Sequence, residues 1–237
     1  MSKMAGRTNY DKIAATYRSH AEDKLSWNNL YERPFMLSIF DNFSRKKILD
    51  AGTGTGFYSK YAINQNADVI AVDASQKMLD HLAKIVVSPR LKMYKTDLAD
   101  GLPFIKSNSL DYVICSLTLH YLKDWENVIN EFYRVLKKDG KLYVSTHHPF
   151  ADYLVLKKKG YFDKYLAEDI WGRNKNPFNV FYYTRPLSDL LKPFVNSAFK
   201  ILSIDEPLPK PELKNASPEI FEILSTQPAF IFLVLQK

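Results

Sequence analysis

The stretch ILDAGTGTGFYSKY, residues 48–61, places glycines at three alternate positions directly after a short apolar run. Glycine at such a turn lets the backbone bend sharply and approach a ligand, because no Cβ stands in the way. The spacing fits neither common phosphate-binding pattern. The loop lacks a Gly-Lys-Ser/Thr ending, and Phe57 stands where a dinucleotide fingerprint has its third glycine. The loop therefore predicts a nucleotide-type ligand and leaves its identity to the rest of the chain.

Strand-like and helix-like segments alternate from residue 46 to residue 148. We expect short apolar strands in KKILDA, ADVIAVDAS, LKMYKTD, LDYVICSLTL and KLYVSTHH. Helices are expected in FYSKYAINQN, QKMLDHLAKIV and WENVINEFYRVLKKDG, the last of them ending at Gly140. Apolar strands that alternate with amphipathic helices indicate right-handed βαβ units and a parallel sheet covered on both faces.

The chain beyond His148 has a different character. Residues 150–185 predict an irregular aromatic insertion, and RPLSDLLKPFVNSAF predicts a helix with Pro186 near its start and Ser188 as a possible cap. The strands KILSIDEPL and AFIFLVLQK should include an antiparallel pair, because the segment between them is too short for another full βα repeat. The aromatic residues of the insertion include Tyr153, Tyr161, Phe162, Tyr165, Trp171, Phe178, Phe181, Tyr182 and Tyr183.

The composition predicts a globular protein of the reducing cytoplasm. Hydrophobic residues make up 46% of the 237 residues, and the single cysteine, Cys115, excludes an intramolecular disulfide. The N-terminal residues lack the apolar stretch of a secretory signal, and no run is long enough to predict a membrane helix. Cys115 lies in an apolar strand and is expected to pack as a small buried hydrophobe.

The net charge of +7 leaves open an acidic partner such as RNA, DNA or an anionic lipid surface. The alternative is a lysine-rich surface without a partner, because the basic residues are scattered and no nucleic-acid motif accompanies them. They lie at residues 45–47, 137–138 and 157–159, and at Lys210 and Lys214.

Acidic residues end three consecutive strands of the predicted sheet. Asp50 directly precedes the glycine loop, Asp73 ends the predicted strand in VIAVDAS and Asp97 ends the predicted strand in YKTDLAD. Ligands of open α/β sheets bind outside the carboxyl ends of the strands, where an aspartate can accept hydrogen bonds from ribose hydroxyls. Each of these residues also has a structural alternative, as a helix cap or as a solvated loop residue.

This constellation resembles the class I S-adenosylmethionine-dependent methyltransferases, in their small-molecule branch with a type 11/25-like domain. The matching pieces are ILDAGTGTG, VIAVDAS, YKTDLAD, LDYVICSLTLHYLKD and EFYRVLKKDGKLYVSTHHP, which together cover about residues 45–150. The resemblance implies a doubly wound, Rossmann-like α/β fold with a seven-stranded sheet of order 3-2-1-4-5-7-6, the last strand antiparallel. It also implies S-adenosyl-L-methionine as cofactor and S-adenosyl-L-homocysteine as product.

The domain organisation follows from the same resemblance. We expect a single methyltransferase domain over residues 1–237. An N-terminal helical cap would occupy residues 1–44 and the cofactor-binding core residues 45–149. The insertion at residues 150–185 would cap the substrate, and residues 186–237 would supply the last helix and the strand pair.

The resemblance assigns the methionine end of the cofactor to the loop and the fourth strand. Gly52, Gly54 and the backbone of Ala51 would border the methionine moiety. Asp50 would order the loop, with or without a bridging water, and the Ser116 backbone would receive the methionine ammonium.

The nucleoside end of the cofactor is assigned to the second and third strands. Asp73 would accept both ribose hydroxyls. Asp97 would accept from the adenine amino group, with the Leu98 amide beside it. Ala74 and Met78 would pack on the adenine face.

Three of the five histidines are candidate proton acceptors for a nucleophile that loses a proton. His120 follows the fourth strand, and His147 and His148 end the fifth. The alternative for His120 is a helix cap or a pocket wall without proton transfer. Adjacent strand residues point to opposite faces, so we expect no metal at the pair. Tyr17 of the N-terminal helix is expected to close over the site, or else to belong to the core.

The sequence thus predicts an enzyme, a methyltransferase that acts on an O, N, S or C nucleophile of a small molecule, as a monomer or homodimer. Two alternatives remain open at this point. One is an RNA-associated methyltransferase or RNA-binding protein that uses the basic surface. The other is a non-catalytic domain that binds the cofactor as a sensor or scaffold.

Overall fold

The computed structural model of the protein describes residue 8 and residues 10–156, 159–172 and 176–237. The first residues of the N-terminal segment, and Lys157 and Lys158 of the basic group, lie outside the described residues. A π-helical segment, Asn28–Glu32, precedes the second helix. The described α-helices are α1 Tyr10–Glu22, α2 Arg33–Ile39, α3 Phe57–Asn64, α4 Gln76–Ile85, α5 Glu126–Val135, α6 Pro149–Leu156, α7 Leu187–Asn196, α8 Leu213–Ala216 and α9 Pro218–Thr226.

The strands form a seven-stranded sheet and a separate two-stranded sheet. The large sheet has the order β3-β2-β1-β4-β5-β9-β8, in which β1 to β5 are parallel and β9 runs antiparallel to both of its neighbours. This confirms the predicted doubly wound sheet, including its antiparallel end. The strands are β1 Lys47–Ala51, β2 Asp68–Asp73, β3 Leu91–Lys95, β4 Leu110–Ser116, β5 Leu136–His147, β6 Leu166–Trp171, β7 Phe178–Tyr183, β8 Lys200–Asp205 and β9 Phe230–Gln236.

Alternating side chains of the central strands fill two cores, one on each face of the sheet. On β4, Val113 and Cys115 belong to the core that α5 and α7 cover, whereas Ile114 belongs to the core on the side of α2 and α3. Helices therefore cover both faces, as the apolar strands predicted. Cys115 is fully buried, and burial raises the pKa of its thiol, so it packs as the expected hydrophobe.

Two helix boundaries differ from the sequence-based prediction. Helix α5 ends at Val135, and the chain enters β5 at once with Asp139 at a φ of +62°. Gly140 is therefore not a helix stop. A Cβ added there would lie 3.1 Å from the Asp111 carbonyl oxygen, so glycine allows the two strands to approach. Ser188 is not a cap either, because α7 begins at Leu187 after Pro186 and no side chain caps it.

The insertion is regular, and the prediction of an irregular segment was wrong for most of its described residues. It contains α6 and the antiparallel pair β6–β7, in which Leu166 is paired with Tyr183 and Trp171 with Phe178. The buried side chains of β7 alternate with exposed or half-buried ones, and the many aromatic residues hide this two-residue period in the sequence.

The insertion and the N-terminal segment pack against each other. Ile13 and Tyr17 of α1 contact the buried cluster of the two-stranded sheet, whose members include Val180 and Tyr182. Thr8 Oγ1 donates to the Phe181 carbonyl oxygen at 3.0 Å and accepts from the Phe181 N–H at 2.7 Å. The two segments therefore form one lid, which consists of Thr8, α1 and the β6–β7 pair.

None of the helices in the described ranges has both the length and the apolar character that a membrane span requires.

Candidate functional site

The glycine loop leaves β1 with backbone angles that favour glycine. Gly52, Gly54 and Gly56 have φ values of +77°, +52° and +83°. A Cβ added at Gly52 would lie 2.3 Å from Thr118 Oγ1, so the loop could not keep its contact with the segment after β4. At Gly54 the closest atom would be the Gly52 carbonyl oxygen, 4.0 Å away, so its missing side chain leaves open space. The loop is thus a backbone cradle.

Asp50 fixes this loop from behind through direct hydrogen bonds. Its Oδ2 accepts from Thr53 Oγ1 at 2.7 Å and from Ser59 Oγ at 2.6 Å. Burial raises the pKa of the Asp50 carboxyl, and the two hydroxyl donors oppose that shift. The bonds tie the loop to the first turns of α3 without a bridging water.

Asp73 connects the loop to the end of β2. Its Oδ2 accepts from the Gly54 N–H and its Oδ1 from the Ser75 N–H, both at 2.8 Å. Burial raises the pKa of the Asp73 carboxyl to about 6, while the two backbone donors hold it down. A carboxylate oxygen has more than one acceptor position, so both oxygens can still accept a further bond.

A cavity of about 380 Å³ opens beside the loop, at the carboxyl ends of the strands. This is a normal size for a small-ligand site. Asp50 and Ala51 lie behind the loop and do not line it. The sequence-predicted site residues that line the cavity are Tyr17, Gly52, Gly54, Asp73, Ala74, Met78, Asp97, Leu98 and Ser116.

Asp97 has the cap position that the sequence left open and also lies at the cavity. It lines the cavity, and its Oδ1 accepts from the Ala99 N–H at 2.9 Å, which caps the 3₁₀ turn Leu98–Asp100. Its position as a cap therefore does not remove it from the site.

The lid contributes cavity residues that the sequence reasoning missed. Thr8, Tyr10 and Asp11 line the cavity from the N-terminal side. Asp11 Oδ1 accepts from Ser75 Oγ at 2.6 Å and from the Lys77 N–H at 3.2 Å, which holds α1 at the start of α4. The contacts of these residues could not be predicted from the sequence, since they form through packing between distant parts of the chain.

Tyrosines form the wall between the lid and the core. The ring of Tyr10 lies edge to face with those of Tyr17 and Tyr121, at centroid distances of 4.9 Å and 5.3 Å. All three rings line the cavity. Burial raises the pKa of each hydroxyl, so all three stay protonated at neutral pH.

Two of the candidate histidines lie together beneath this wall. The imidazoles of His120 and His147 stack with their centroids 3.9 Å apart, and His120 packs on the ring of Tyr121. His147 Nδ1 lies 3.2 Å from Asp152 Oδ1 of α6, a residue that the sequence reasoning did not select. Among the described residues, His120 Nε2 is buried without a hydrogen-bond partner. Burial lowers the pKa of His120 well below its usual value.

His148 is separated from this pair. Its Nε2 lies 2.6 Å from Glu206 Oε1, and its Nδ1 accepts from the Phe150 N–H at 3.1 Å. Adjacent residues at the end of β5 thus point to different surroundings. Across the described part of the chain, no three His, Cys, Asp or Glu side chains are grouped as metal ligands would be.

The arrangement of cradle, strand-end acids and cavity has a counterpart in known proteins. Residues 49–144 match the family described as a methyltransferase domain. The chain is similar to the class I S-adenosylmethionine-dependent methyltransferases over this segment, which runs from β1 to β5 and contains the glycine loop.

The chain also has relatives outside this segment, in sequence and in structure. It is 26% identical to an uncharacterized protein of Haemophilus influenzae, over 96% of this chain and 95% of that protein. It is 32% identical to a biotin biosynthesis bifunctional protein of Cellvibrio japonicus, over 59% of this chain but 26% of that protein. The structure of an S-adenosylmethionine-dependent methyltransferase from Mesorhizobium loti has a TM-score of 0.71 and 22% identity, covering 87% of this chain and 97% of that one. The last comparison concerns the fold.

Proposed function

We propose that the protein transfers the methyl group of S-adenosylmethionine to an O, N, S or C nucleophile of a small molecule, by in-line displacement. The lid is the observation that carries the small-molecule proposal. Thr8, Tyr10 and Tyr17 cover the cavity. A polymeric substrate would need an open cavity. The aromatic wall of that cavity is suited to a substrate that must be held in one orientation and kept from water.

The residues of the cavity fit the cofactor. The open space at Gly54 leaves room for the methionine moiety, and the free acceptor positions of Asp73 suit two ribose hydroxyls. Asp97 and Leu98 would bind the edge of the adenine ring. Met78 and Ala74 would pack on its face. Asp50 would act through Thr53 and Ser59, behind the loop.

The sulfonium supplies the electrophilic methyl group. The chain's own residues therefore mainly position the two reactants and exclude water from them. The nucleophile forms its bond to the methyl carbon as the sulfur–carbon bond breaks. A hydroxyl or amine nucleophile must also lose a proton. We assign His120 Nε2 as the acceptor of this proton. Burial keeps His120 neutral, and in the tautomer whose Nδ1–H donates to Thr146 Oγ1 the unpartnered Nε2 is the acceptor. Asp152 would hold the adjacent His147 ring in place.

A panel of small alcohols, carboxylic acids, phenols, amines and thiols tests the proposal, with homocysteine release from the product as the readout. Turnover of at least one compound is expected. Methyl transfer to RNA with none to the panel would contradict the small-molecule proposal, and such activity would fall steeply with salt. Binding of S-adenosylmethionine without any transfer would favour a non-catalytic domain.

The affinity for S-adenosylmethionine is expected to fall about tenfold between pH 7.5 and pH 5. Asp73 has a pKa of about 6 in the free protein, so it is ionised above this pH and protonated below it. Only the ionised carboxylate accepts strongly from both ribose hydroxyls. Calorimetry at the two pH values checks the change. The Asp73→Asn variant should bind more weakly at pH 7.5 and lose the pH dependence, and an equal dependence in both proteins would exclude Asp73 as its source.

A further inference from the structure

Glu32 is a buried carboxylate in the N-terminal segment, at the end of the π-helical turn. Its side chain is 1% exposed. Oε1 accepts from Ser116 Oγ at 2.7 Å and from Ser145 Oγ at 2.6 Å, and Oε2 accepts from the Tyr58 hydroxyl at 2.7 Å. Three hydroxyls from β4, β5 and α3 thus converge on one carboxyl group.

These bonds do not neutralise the charge of Glu32. In the ranges that the structure describes, no Lys, Arg or His nitrogen forms an ion pair with it. The neighbouring Arg33 lies over the ring of Phe57, 4.2 Å from its centroid, and donates to the Ala21 carbonyl oxygen. Burial raises the pKa of Glu32 despite its three hydroxyl donors and the charge of Arg33. A buried charge without a close cation is costly, so a cationic ligand nearby would stabilise the site.

The negative charge of Glu32 lies at one end of the cofactor cavity. Ser116, which donates to Glu32, lines that cavity. Tyr17 lines it as well. Burial raises the pKa of Tyr17 to about 12; the charge of Arg33 opposes this shift, and the charges of Asp73 and Glu32 add to it. Glu32 is therefore linked to the cavity through the Ser116 hydroxyl, although its own oxygens lie behind the wall.

We propose that Glu32 orients the amino-acid end of S-adenosylmethionine, by attracting its α-ammonium toward Ser116 and turning its carboxylate away. This rests on the proposed placement of the methionine end beside Gly54 and Ser116. The amino-acid end carries both signs of charge, so a fixed negative charge at one side selects one of its two orientations. Glu32 is a positioning residue, because it acts across the Ser116 hydroxyl rather than in the transfer step.

Calorimetry on Glu32→Gln with three ligands tests this. S-adenosylmethionine and S-adenosylhomocysteine both carry the α-ammonium, whereas 5′-methylthioadenosine lacks the amino-acid end. Glu32→Gln should lower the affinities for the first two by about tenfold, since one close charge interaction is lost, and leave that for methylthioadenosine within about twofold. Ser145→Ala is the matched control, because it removes a hydroxyl donor to the same Glu32 oxygen, keeps the charge and lies outside the cavity lining, so it should change each affinity by less than about threefold.

Glu32→Asp provides a second route in case Glu32→Gln unfolds, since it keeps the charge. It should retain the wild-type preference for S-adenosylhomocysteine over methylthioadenosine. A loss of affinity common to all three ligands in either variant would show a structural role for Glu32 and overturn the proposal, as would a Glu32→Gln protein with wild-type affinities. Failure of the wild type to bind S-adenosylmethionine at all would instead contradict the proposed function, and this inference with it.

Discussion

Gly54→Val is expected to abolish the binding of S-adenosylmethionine and S-adenosylhomocysteine while the protein still unfolds cooperatively. The φ of +52° at Gly54 strains a β-branched residue by about 1–3 kcal/mol. The larger effect is steric, because the added methyl groups would occupy the open space of the cradle. The measurement is the rise in melting temperature with S-adenosylhomocysteine, which should be present in the wild type and absent in the variant.

Gly101→Val is the matched control for backbone strain. Gly101 has a φ of +82°, and a Cβ added there would lie 3.5 Å from the Glu131 carboxylate, away from the cofactor cavity. This variant should lose stability to a similar degree and keep the ligand-induced shift. If Gly54→Val were stabilised by S-adenosylhomocysteine as the wild type is, the loop would turn for reasons of chain geometry alone.

His120→Asn is expected to lower kcat about a hundredfold or more for a hydroxyl or amine substrate, because a positioned proton acceptor is lost. The affinity for S-adenosylhomocysteine should stay within about twofold, since His120 does not line the cofactor cavity. Burial lowers the pKa of His120, so the wild-type rate should be flat through neutral pH and fall only on acidification below the usual histidine range.

His148→Asn is the control for this second experiment. His148 neighbours His147 in the chain but pairs with Glu206, so its replacement should leave kcat nearly unchanged. Wild-type turnover by His120→Asn would remove His120 from proton transfer. A large loss in His148→Asn as well would point to a general disturbance at the end of β5.

The sheet and the strand-end acids could be predicted because they depend on local pattern. Apolar runs and the spacing of Asp50, Asp73 and Asp97 place these carboxyl groups at one edge of any parallel sheet. The bond between Asp11 and Ser75 could not be predicted, since it joins residues that only tertiary packing brings together. The same holds for Glu32, which nothing in its neighbouring sequence marks as buried.

The helix end, the strands of the insertion and the histidine contacts could not be predicted, and each has a physical cause. Gly140 has the position of a helix stop in LKKDG, but the contact with Asp111 decides where the strand begins, and that contact is not local. The alternation of buried and outward residues in β7 cannot be recognised from the sequence, because tyrosines occupy both faces of this strand. The histidines were expected at the correct edge, whereas the stacking of His120 on His147 and the approach of Asp152 depend on how α6 packs.

The lid has a consequence for the biosynthesis of the protein. Thr8 and Phe181 exchange two hydrogen bonds across 173 positions of the chain. A ribosome adds residues in order, so these two bonds can form only after β7 has emerged. Until then a nascent chain that already contains β1 to β5 lacks the β6–β7 part of the lid. The cofactor can therefore reach its cradle during translation, before the lid is complete.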